Sequence, residues 1–312
     1  MKKKNVIIGV VKNYSYKKIR PFVKSLRDTG FNGDIVLFCN EVPKKTIKQL
    51  KAEKVIVKEF KIKSHEHLIP AKQIEKIPYD QLPLMSYRFI LYLDFLLENK
   101  EKYENIMLSD IGDVIFQKDP FDFNIGKMNC FFLMNCPIKE APAYVSWLKK
   151  VYGIKIFNKL KNKNMSCAGT FIADYDNMIK YLKLMKQEIF KGNDQCVHNY
   201  ICYSGVLKNI KLFENGDVIA TVASKQELQK AIIVKKNKVF SKKGELINII
   251  HGYNRHKILS NIFGGNKESK IIRKLKNSKY ITQKGNSLRK KLYKIPFLGK
   301  KIRQFYQNTI LK

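Results

Sequence analysis

Asn105-Ile106-Met107-Leu108-Ser109-Asp110-Ile111-Gly112-Asp113-Val114-Ile115-Phe116 is an apolar run of strand length that ends in two carboxylates and is followed at once by a second apolar run. In an open α/β sheet, ligands sit beyond the carboxyl ends of the strands. Two acidic side chains at such an end, with Gly112 free to adopt backbone angles closed to other residues, can hold a hard divalent cation through oxygen. A cation held there can carry a diphosphate. Taken alone, the stretch also reads as a charged turn between two strands.

Upstream of it the chain alternates. Val6 to Val11 reads as a buried strand, Tyr16 to Leu26 as a helix, Asp34 to Phe38 as a second strand, Lys44 to Ala52 as a helix and Lys54 to Val57 as a third strand. Strands alternating with helices predict βαβ units, a parallel sheet and right-handed crossovers. A Rossmann-like nucleotide half is expected. No G-x-G-x-x-G follows the first strand and no G-x-x-x-x-G-K-S/T occurs anywhere, which counts against dinucleotide oxidoreductases and P-loop enzymes. Lys12-Asn13-Tyr14, after the first strand, can offer a cation and a stacking ring to a nucleotide, and is equally unremarkable as the start of a loop.

Tyr87 to Leu97 reads as a helix with Arg88 at its start, and Lys118-Asp119-Pro120-Phe121 closes the second apolar run with a proline turn. Met165 to Ile172 is a strand whose Cys167-Ala168-Gly169-Thr170 is small enough for a ligand to approach the backbone. A helix over Asp176 to Ile189 follows, Gly192-Asn193-Asp194-Gln195 opens another, and a strand from Leu246 to Ile250 ends on His251. Asp194 alone reads as a helix N-cap, and His251 alone as a core histidine. With Asp110 and Asp113 they form a larger set: two carboxylates and an imidazole suit Mn²⁺ and leave positions for phosphate oxygens and water.

Composition sets the outer bounds. A 45% hydrophobic fraction with 19 Phe and 16 Tyr supports a folded core. Sixty-one Lys and Arg against 26 Asp and Glu give a net charge of +35, which calls for anionic partners without naming them. The excess is largely lysine in a Lys, Ile and Asn-rich chain, so it is poor evidence for nucleic acid, and no specific nucleic-acid partner is expected. Cys39, Cys130, Cys136, Cys167, Cys196 and Cys202 contain no C-x-x-C pair and lie mostly in apolar runs, as reduced thiols of a cytoplasmic protein do. The apolar stretch after Met1-Lys2-Lys3-Lys4 is cut short by Lys12, too early for an export signal. No stretch reaches the roughly 18 apolar residues of a membrane span.

Four segments occur in the order seen in GT-A-fold glycosyltransferases: Leu108 to Phe121, Cys167-Ala168-Gly169-Thr170, Asn193-Asp194-Gln195-Cys196-Val197-His198-Asn199-Tyr200, and Ile250-His251-Gly252-Tyr253-Asn254-Arg255-His256. Over roughly residues 5 to 258 the chain resembles a bacterial and viral group distantly similar to glycogenin-like and lipopolysaccharide galactosyltransferases. The resemblance implies an α/β GT-A domain with a mixed central sheet over residues 1–262; beyond about Ile262 the composition changes, and a basic helical tail is expected over 263–312. It implies Mn²⁺ or Mg²⁺ on Asp110, Asp113 and His251, although D-x-x-D here replaces the group's D-x-D and leaves open which aspartate binds metal directly. It places Asp194 near the reacting sugar as the catalytic carboxylate. Around the donor nucleotide and sugar it places Lys12, Asn13, Tyr14, Arg88, Asp110, Gly169, Gln195 and Arg255 or Lys257. The implied activity is transfer of a hexose from a nucleotide-diphosphate sugar, with UDP-sugar expected, to a glycan or glycolipid acceptor in surface polysaccharide synthesis such as that of lipopolysaccharide. A sugar nucleotidyltransferase of similar fold, or a polyanion-binding protein without catalysis, is the alternative.

The tail adds a separate expectation. Residues 266–312 carry fifteen Lys and Arg against one acid, Glu268, and Ile302, Phe305, Tyr306 and Ile310 recur at helical spacing beside Lys300, Lys301 and Arg303. A basic amphipathic helix of this kind can lie on an anionic membrane surface, which would make the protein peripheral at the inner membrane face. A solvated helix packed on the main domain fits the same pattern. Deleting 266–312 is expected to release the protein from anionic liposomes in sedimentation while sparing donor hydrolysis; unchanged sedimentation would refute the membrane role.

Overall fold

The computed structural model describes residues 3–62, 83–191, 193–222 and 231–263. The chain divides into two units, Met1–Gly265 and Asn266–Lys312, and every described residue belongs to the first. The expected amphipathic helix of the tail lies outside the described residues.

The first elements follow the expected alternation: β1 (Lys4–Lys12), α1 (Tyr16–Asp28), β2 (Asp34–Asn40), α2 (Lys44–Ala52) and β3 (Val55–Phe60). Successive side chains of a strand point to opposite faces, and β1 uses both. Val6 and Ile8 face one apolar layer with Phe89, Tyr92 and Leu96, while Ile7 and Val11 face another with Ile19, Phe22 and Leu26 of α1. A strand covered on both sides reads as an unbroken apolar run, as Val6 to Val11 does. β3 runs three residues past its expected end because its parallel pairing with β2 continues to Asn40 opposite Phe60.

After α3 (Leu84–Glu98) comes β4 (Tyr103–Ser109), which pairs parallel with β1, Ile8 lying opposite Leu108. Further elements are β5 (Val114–Phe116), β6 (Asn129–Pro137), α4 (Pro142–Leu160), β7 (Asn164–Asp174), α5 (Tyr175–Glu188), α6 (Asp194–Ser204) and β8 (Ile210–Phe213). The main sheet has the order β3-β2-β1-β4-β7-β6-β8. Its β4–β7 and β7–β6 pairs are antiparallel and its remaining pairs parallel. This is the expected α/β class with a mixed central sheet. β4 stands where the parallel half meets the antiparallel half, so the loop leaving its carboxyl end is flanked by β1 on one side and β7 on the other.

A second sheet builds the other wall. It runs β5-β12-β9, with β9 at Ile219–Thr221 and β12 at Ile249–His251, and a separate hairpin of β10 (Ile232–Lys235) and β11 (Lys238–Ser241) lies between those two strands in the chain. β12 is shorter and later than expected. Leu246 makes only an isolated bridge to Phe240, and the strand takes in His251 itself. A one-turn 3₁₀ helix (Tyr253–Arg255) and α7 (Lys257–Phe263) follow.

Ile111 anchors the acidic loop. It is buried among Val114, Phe116 and the α1 layer, and it lies over Gly9, where any added Cβ would come within 2.3 Å of its Cδ1. Asp110 and Asp113 are thereby held on either side of a buried apolar pivot.

The layer that holds Phe89, Tyr92 and Leu96 also contains a buried polar chain. His198 of α6 is fully buried, with Nδ1 2.8 Å from the Tyr181 hydroxyl and Nε2 2.9 Å from Ser166 Oγ. Ser166 donates its own proton to Phe132 O, so it accepts from Nε2–H, and Nδ1 accepts from Tyr181. Burial, assisted by the charge of Arg88, pushes the imidazole down to about 3. A group whose folded pKa is depressed binds fewer protons folded than unfolded at mildly acid pH, so stability is whole above about 6.5 and falls as pH drops toward 3. Denaturation measured from pH 7 to 4 should therefore show a wild-type slope steeper than that of His198→Gln by up to about 1.4 kcal/mol per pH unit; equal slopes would refute the buried neutral imidazole.

Candidate active site

Strand pairing brings distant residues together. β12 pairs antiparallel with β5, setting His251 opposite Val114, and Gly252 N donates to Asp113 O at 2.8 Å. The histidine therefore reaches the acidic loop through the strand that follows that loop. Gly252 adopts a positive φ of 83°, a conformation open to glycine, and this turn brings Arg255 back over Asp113 with Nη2 3.6 Å from Oδ2.

The opposite wall is made by β7. Between the pairs Phe131–Phe171 and Leu133–Ser166, Phe132 of β6 faces four β7 residues, Cys167 to Thr170, so β7 bulges there. Side chains of α6 satisfy much of the backbone that the bulge frees. Gln195 Oε1 accepts from Ala168 N at 3.0 Å while Gln195 Nε2 donates to Ser166 O. Asn199 Oδ1 accepts from Ser166 N and its Nδ2 donates to Ser166 O, both at 2.9 Å. The bulge's Gly169 O accepts from Asp110 N at 2.7 Å. The D-Q-x-x-x-N pattern is thus a helix whose two amides replace a partner strand, and Gln195 is engaged with protein backbone through both ends of its amide.

Asp194 is not the N-cap that its sequence neighbourhood suggests. Asn193 caps α6 by accepting from Cys196 N, which leaves the Asp194 carboxylate for another partner. That partner is Arg88 on α3, whose side chain is 4% exposed. Its Nη1 donates to Asp110 Oδ1 at 2.6 Å and its Nη2 to Asp194 Oδ2 at 2.8 Å, with Ala168 O at 3.4 Å from Nη2. The planar fork of arginine suits two acceptors at once.

The two carboxylates respond differently. For Asp110, burial acts upward but Arg88 and His251 outweigh it and hold the pKa below the usual carboxylate range. For Asp194, burial dominates over Arg88 and the pKa is raised, with Asp110 adding to the rise. For His251, burial acts downward and is outweighed by Cys167, Asp113 and Asp110, which raise its pKa. Neighbouring titratable groups pushed apart in pKa mark a site capable of acid–base chemistry.

His251 Nε2 lies 3.6 Å from Asp110 Oδ2 and 3.6 Å from Asp113 Oδ1, and one ligand atom from each residue falls within 4.8 Å of the others. A Cβ at residue 169 would stand 2.5 Å from Asp110 Oδ2 and 2.6 Å from His251 Cε1, so glycine there leaves the space these groups need. Two carboxylate oxygens and an imidazole nitrogen, partly open to solvent through Asp110, are a donor set that fits a divalent cation.

Gly112 does not use the backbone freedom open to a glycine. It is not among the glycines with positive φ; a side chain there would meet the Tyr14 hydroxyl at 3.0 Å and Lys18 Cε at 3.1 Å. Its role is room rather than unusual backbone. Tyr14 packs on the acidic loop under Lys18 Nζ, 3.4 Å from its ring centre, and its pKa is raised by burial and then by Asp113 and Asp110. Lys12 closes β1, and Asn13, with φ 54°, donates its N–H to Asn40 O at 3.1 Å. Lys257 is exposed on the first turn of α7. The structure thus gathers Asp110, Asp113, His251, Arg88, Asp194, Gly169, Tyr14 and Arg255 around one loop. Cys167, read from sequence only as a small residue, lies with Sγ 3.6 Å from His251 Nδ1.

No protein-family model matches this sequence, and no curated protein matches it. Among solved structures it is similar to core-mannan synthase A (CmsA/Ktr4) from Aspergillus fumigatus in a Mn/GDP form, with 15% identity over 68% of this chain and 73% of that one and a TM-score of 0.43. It is similar to the bifunctional glycosyltransferase WbbM at 11% identity, covering 90% of this chain but only 51% of WbbM, TM-score 0.49. It is similar to the galactosyltransferase LgtC, solved with donor and acceptor sugar analogues, at 9% identity over 86% and 99% of the two chains, TM-score 0.47.

Arg88 sets the stability of this arrangement. Arg88→Met leaves two partly buried carboxylates without their counter-charge, and breaking such a pair typically costs about 3–5 kcal/mol. Denaturant unfolding should show a loss of that order, partly recovered by adding Asp110→Asn; an unchanged midpoint would refute the bridge.

Proposed function

We propose that the protein is a metal-dependent glycosyltransferase of the GT-A type that moves a hexose from a nucleotide-diphosphate sugar, UDP-sugar in the first instance, to a glycan or glycolipid acceptor. The observation that carries this reading is the convergence of Asp110, Asp113 and His251 at the carboxyl end of β4, beside an Asp194 held apart from them by Arg88. Asp110, Asp113 and His251 would hold Mn²⁺ or Mg²⁺, and a divalent ion so held supplies positive charge for a diphosphate leaving group.

The chain's own residues account for the remaining needs. As the acceptor oxygen bonds to the anomeric carbon, the bond from that carbon to the diphosphate breaks and its electron pair leaves with the diphosphate. Arg255, half-exposed over Asp113, is placed to meet negative charge arriving there. Asp194 keeps one oxygen on Arg88, and its raised pKa suits it to take the acceptor's hydroxyl proton. Lys12 and Tyr14, at the carboxyl end of β1, would contact the nucleotide, since ligands of α/β folds sit beyond the carboxyl ends of the strands. A role in surface polysaccharide synthesis, with the tail at an anionic inner membrane face, extends the proposal to the acceptor. Among the described residues no helix is long and apolar enough to cross a membrane.

The test is release of free nucleotide from UDP, GDP and CMP sugars, with Mn²⁺ and with EDTA. Turnover of one donor is expected with metal only, and Asp113→Asn should lower it by about a hundredfold or more. Release that ignores EDTA, or no donor bound by calorimetry, would overturn the reading.

A further inference from the structure

The metal reading raises a question about His251. A histidine that ligates through one ring nitrogen commonly has the other held by a carboxylate, a backbone carbonyl or water. Here Nε2 faces Asp110 and Asp113, and the atom beside Nδ1 is the sulfur of Cys167 at 3.6 Å. The ring is 3% exposed, and its Cε1 edge lies against the space left by Gly169. A half-turn about the Cβ–Cγ bond would exchange Nε2 for Cε1 and present a carbon to the carboxylates. Shape distinguishes the two settings poorly, because the ring outline is nearly the same in both. The sulfur contact distinguishes them, since only one setting puts a nitrogen beside it.

We propose that Cys167 is the positioning residue of this site: by accepting from the Nδ1 side of His251 it keeps Nε2 turned toward Asp110 and Asp113. The assignment rests on the metal reading above and deepens it. Cys167 owes its place to the β7 bulge, which Asn199 and Gln195 hold at the two flanking residues, Ser166 and Ala168. Its thiol is free of any disulfide. Cys167 is no ligand itself, since the group of atoms close enough to share an ion comprises Asp110, Asp113 and His251. Sulfur is a weak but long-reaching acceptor, which fits a 3.6 Å contact that an oxygen on the same carbon would make only after a small shift of the ring.

The experiment compares the full-length wild type with Cys167→Ala and Cys167→Ser. Calorimetric titration with Mn²⁺ reads affinity, and pulsed electron paramagnetic resonance of the bound Mn²⁺ reads coupling to a directly bonded imidazole nitrogen. Thermal unfolding checks that each variant is folded. Loss of an outer partner of a ligating histidine typically costs 10- to 100-fold in metal affinity. Cys167→Ala should therefore weaken Mn²⁺ binding by at least about tenfold and diminish the nitrogen coupling, while Cys167→Ser, which keeps an acceptor, restores most of both. Wild-type affinity and nitrogen coupling in a folded Cys167→Ala would overturn the assignment and leave the metal site standing. Failure of the wild type itself to bind Mn²⁺ would overturn both together.

Discussion

A guanidinium withdrawn from water must be matched by charge and hydrogen bonds, or the fold that buries it is lost. Arg88 meets that condition through its two terminal nitrogens, with one carboxylate from the loop after β4 and another from the first turn of α6, while its buried Nε has no hydrogen-bond partner among the described residues. Three elements far apart in the chain are thereby fixed to one another at about hydrogen-bond precision. α3 can pack against the sheet only if Asp110 turns inward, and α6 can begin where it does only if Asp194 is spared from capping, a task that Asn193 performs. Most other features of the site follow from this triangle. Asp110 has one oxygen on Arg88 and the other toward His251, and Asp194 has one on Arg88.

The second constraint is a short pairing. Three residues of β12 lie between β5 and β9 and place His251 beside Asp113. Main-chain hydrogen bonds, rather than a long rigid element, set that distance. They are protected by the apolar layer of Ile115, Ala220, Val222 and Ile250 on one side and by Val114, Ile219 and Ile249 on the other.

Much of this was legible in the residues because two periodicities were strong. Val6 to Val11 and Asp34 to Phe38 are strands covered on both faces, and α1 presents Ile19, Phe22, Val23 and Leu26 at helical spacing, so the first half of the sheet could be read to within a few residues. The acids were legible because carboxylates are costly between two apolar runs unless they have work to do. Other elements carried weaker signals. α4 contains Gly153 with a φ of 80°, which breaks it into two pieces, and its exposed and buried residues follow no clean stripe. β8, β10 and β11 are four residues each and half-exposed, too short for alternation to stand out. The task of Gln195 was hidden for another reason. A side-chain amide that replaces a strand has no local pattern, since its partners Ser166 and Ala168 are nearly thirty residues away. The reason for Gly112 was only half legible, because sequence shows that a side chain is missing, not whether the backbone or a neighbour needs the room.

The bulge of β7 has a consequence for how the protein is made. Chains fold from the N-terminus as they are synthesised, and β1, β2 and β3 can pair as soon as they emerge. The acidic loop then exists without its arginine's second partner until residue 194 has been added, and without its histidine until residue 251. During that interval Arg88 has no complete niche, and the edge of β7 at Ser166 has no amides to meet it. The site is therefore among the last parts of the domain to close, and a ribosome that stalls between α5 and β12 would present a nearly finished sheet with an open, charged seam.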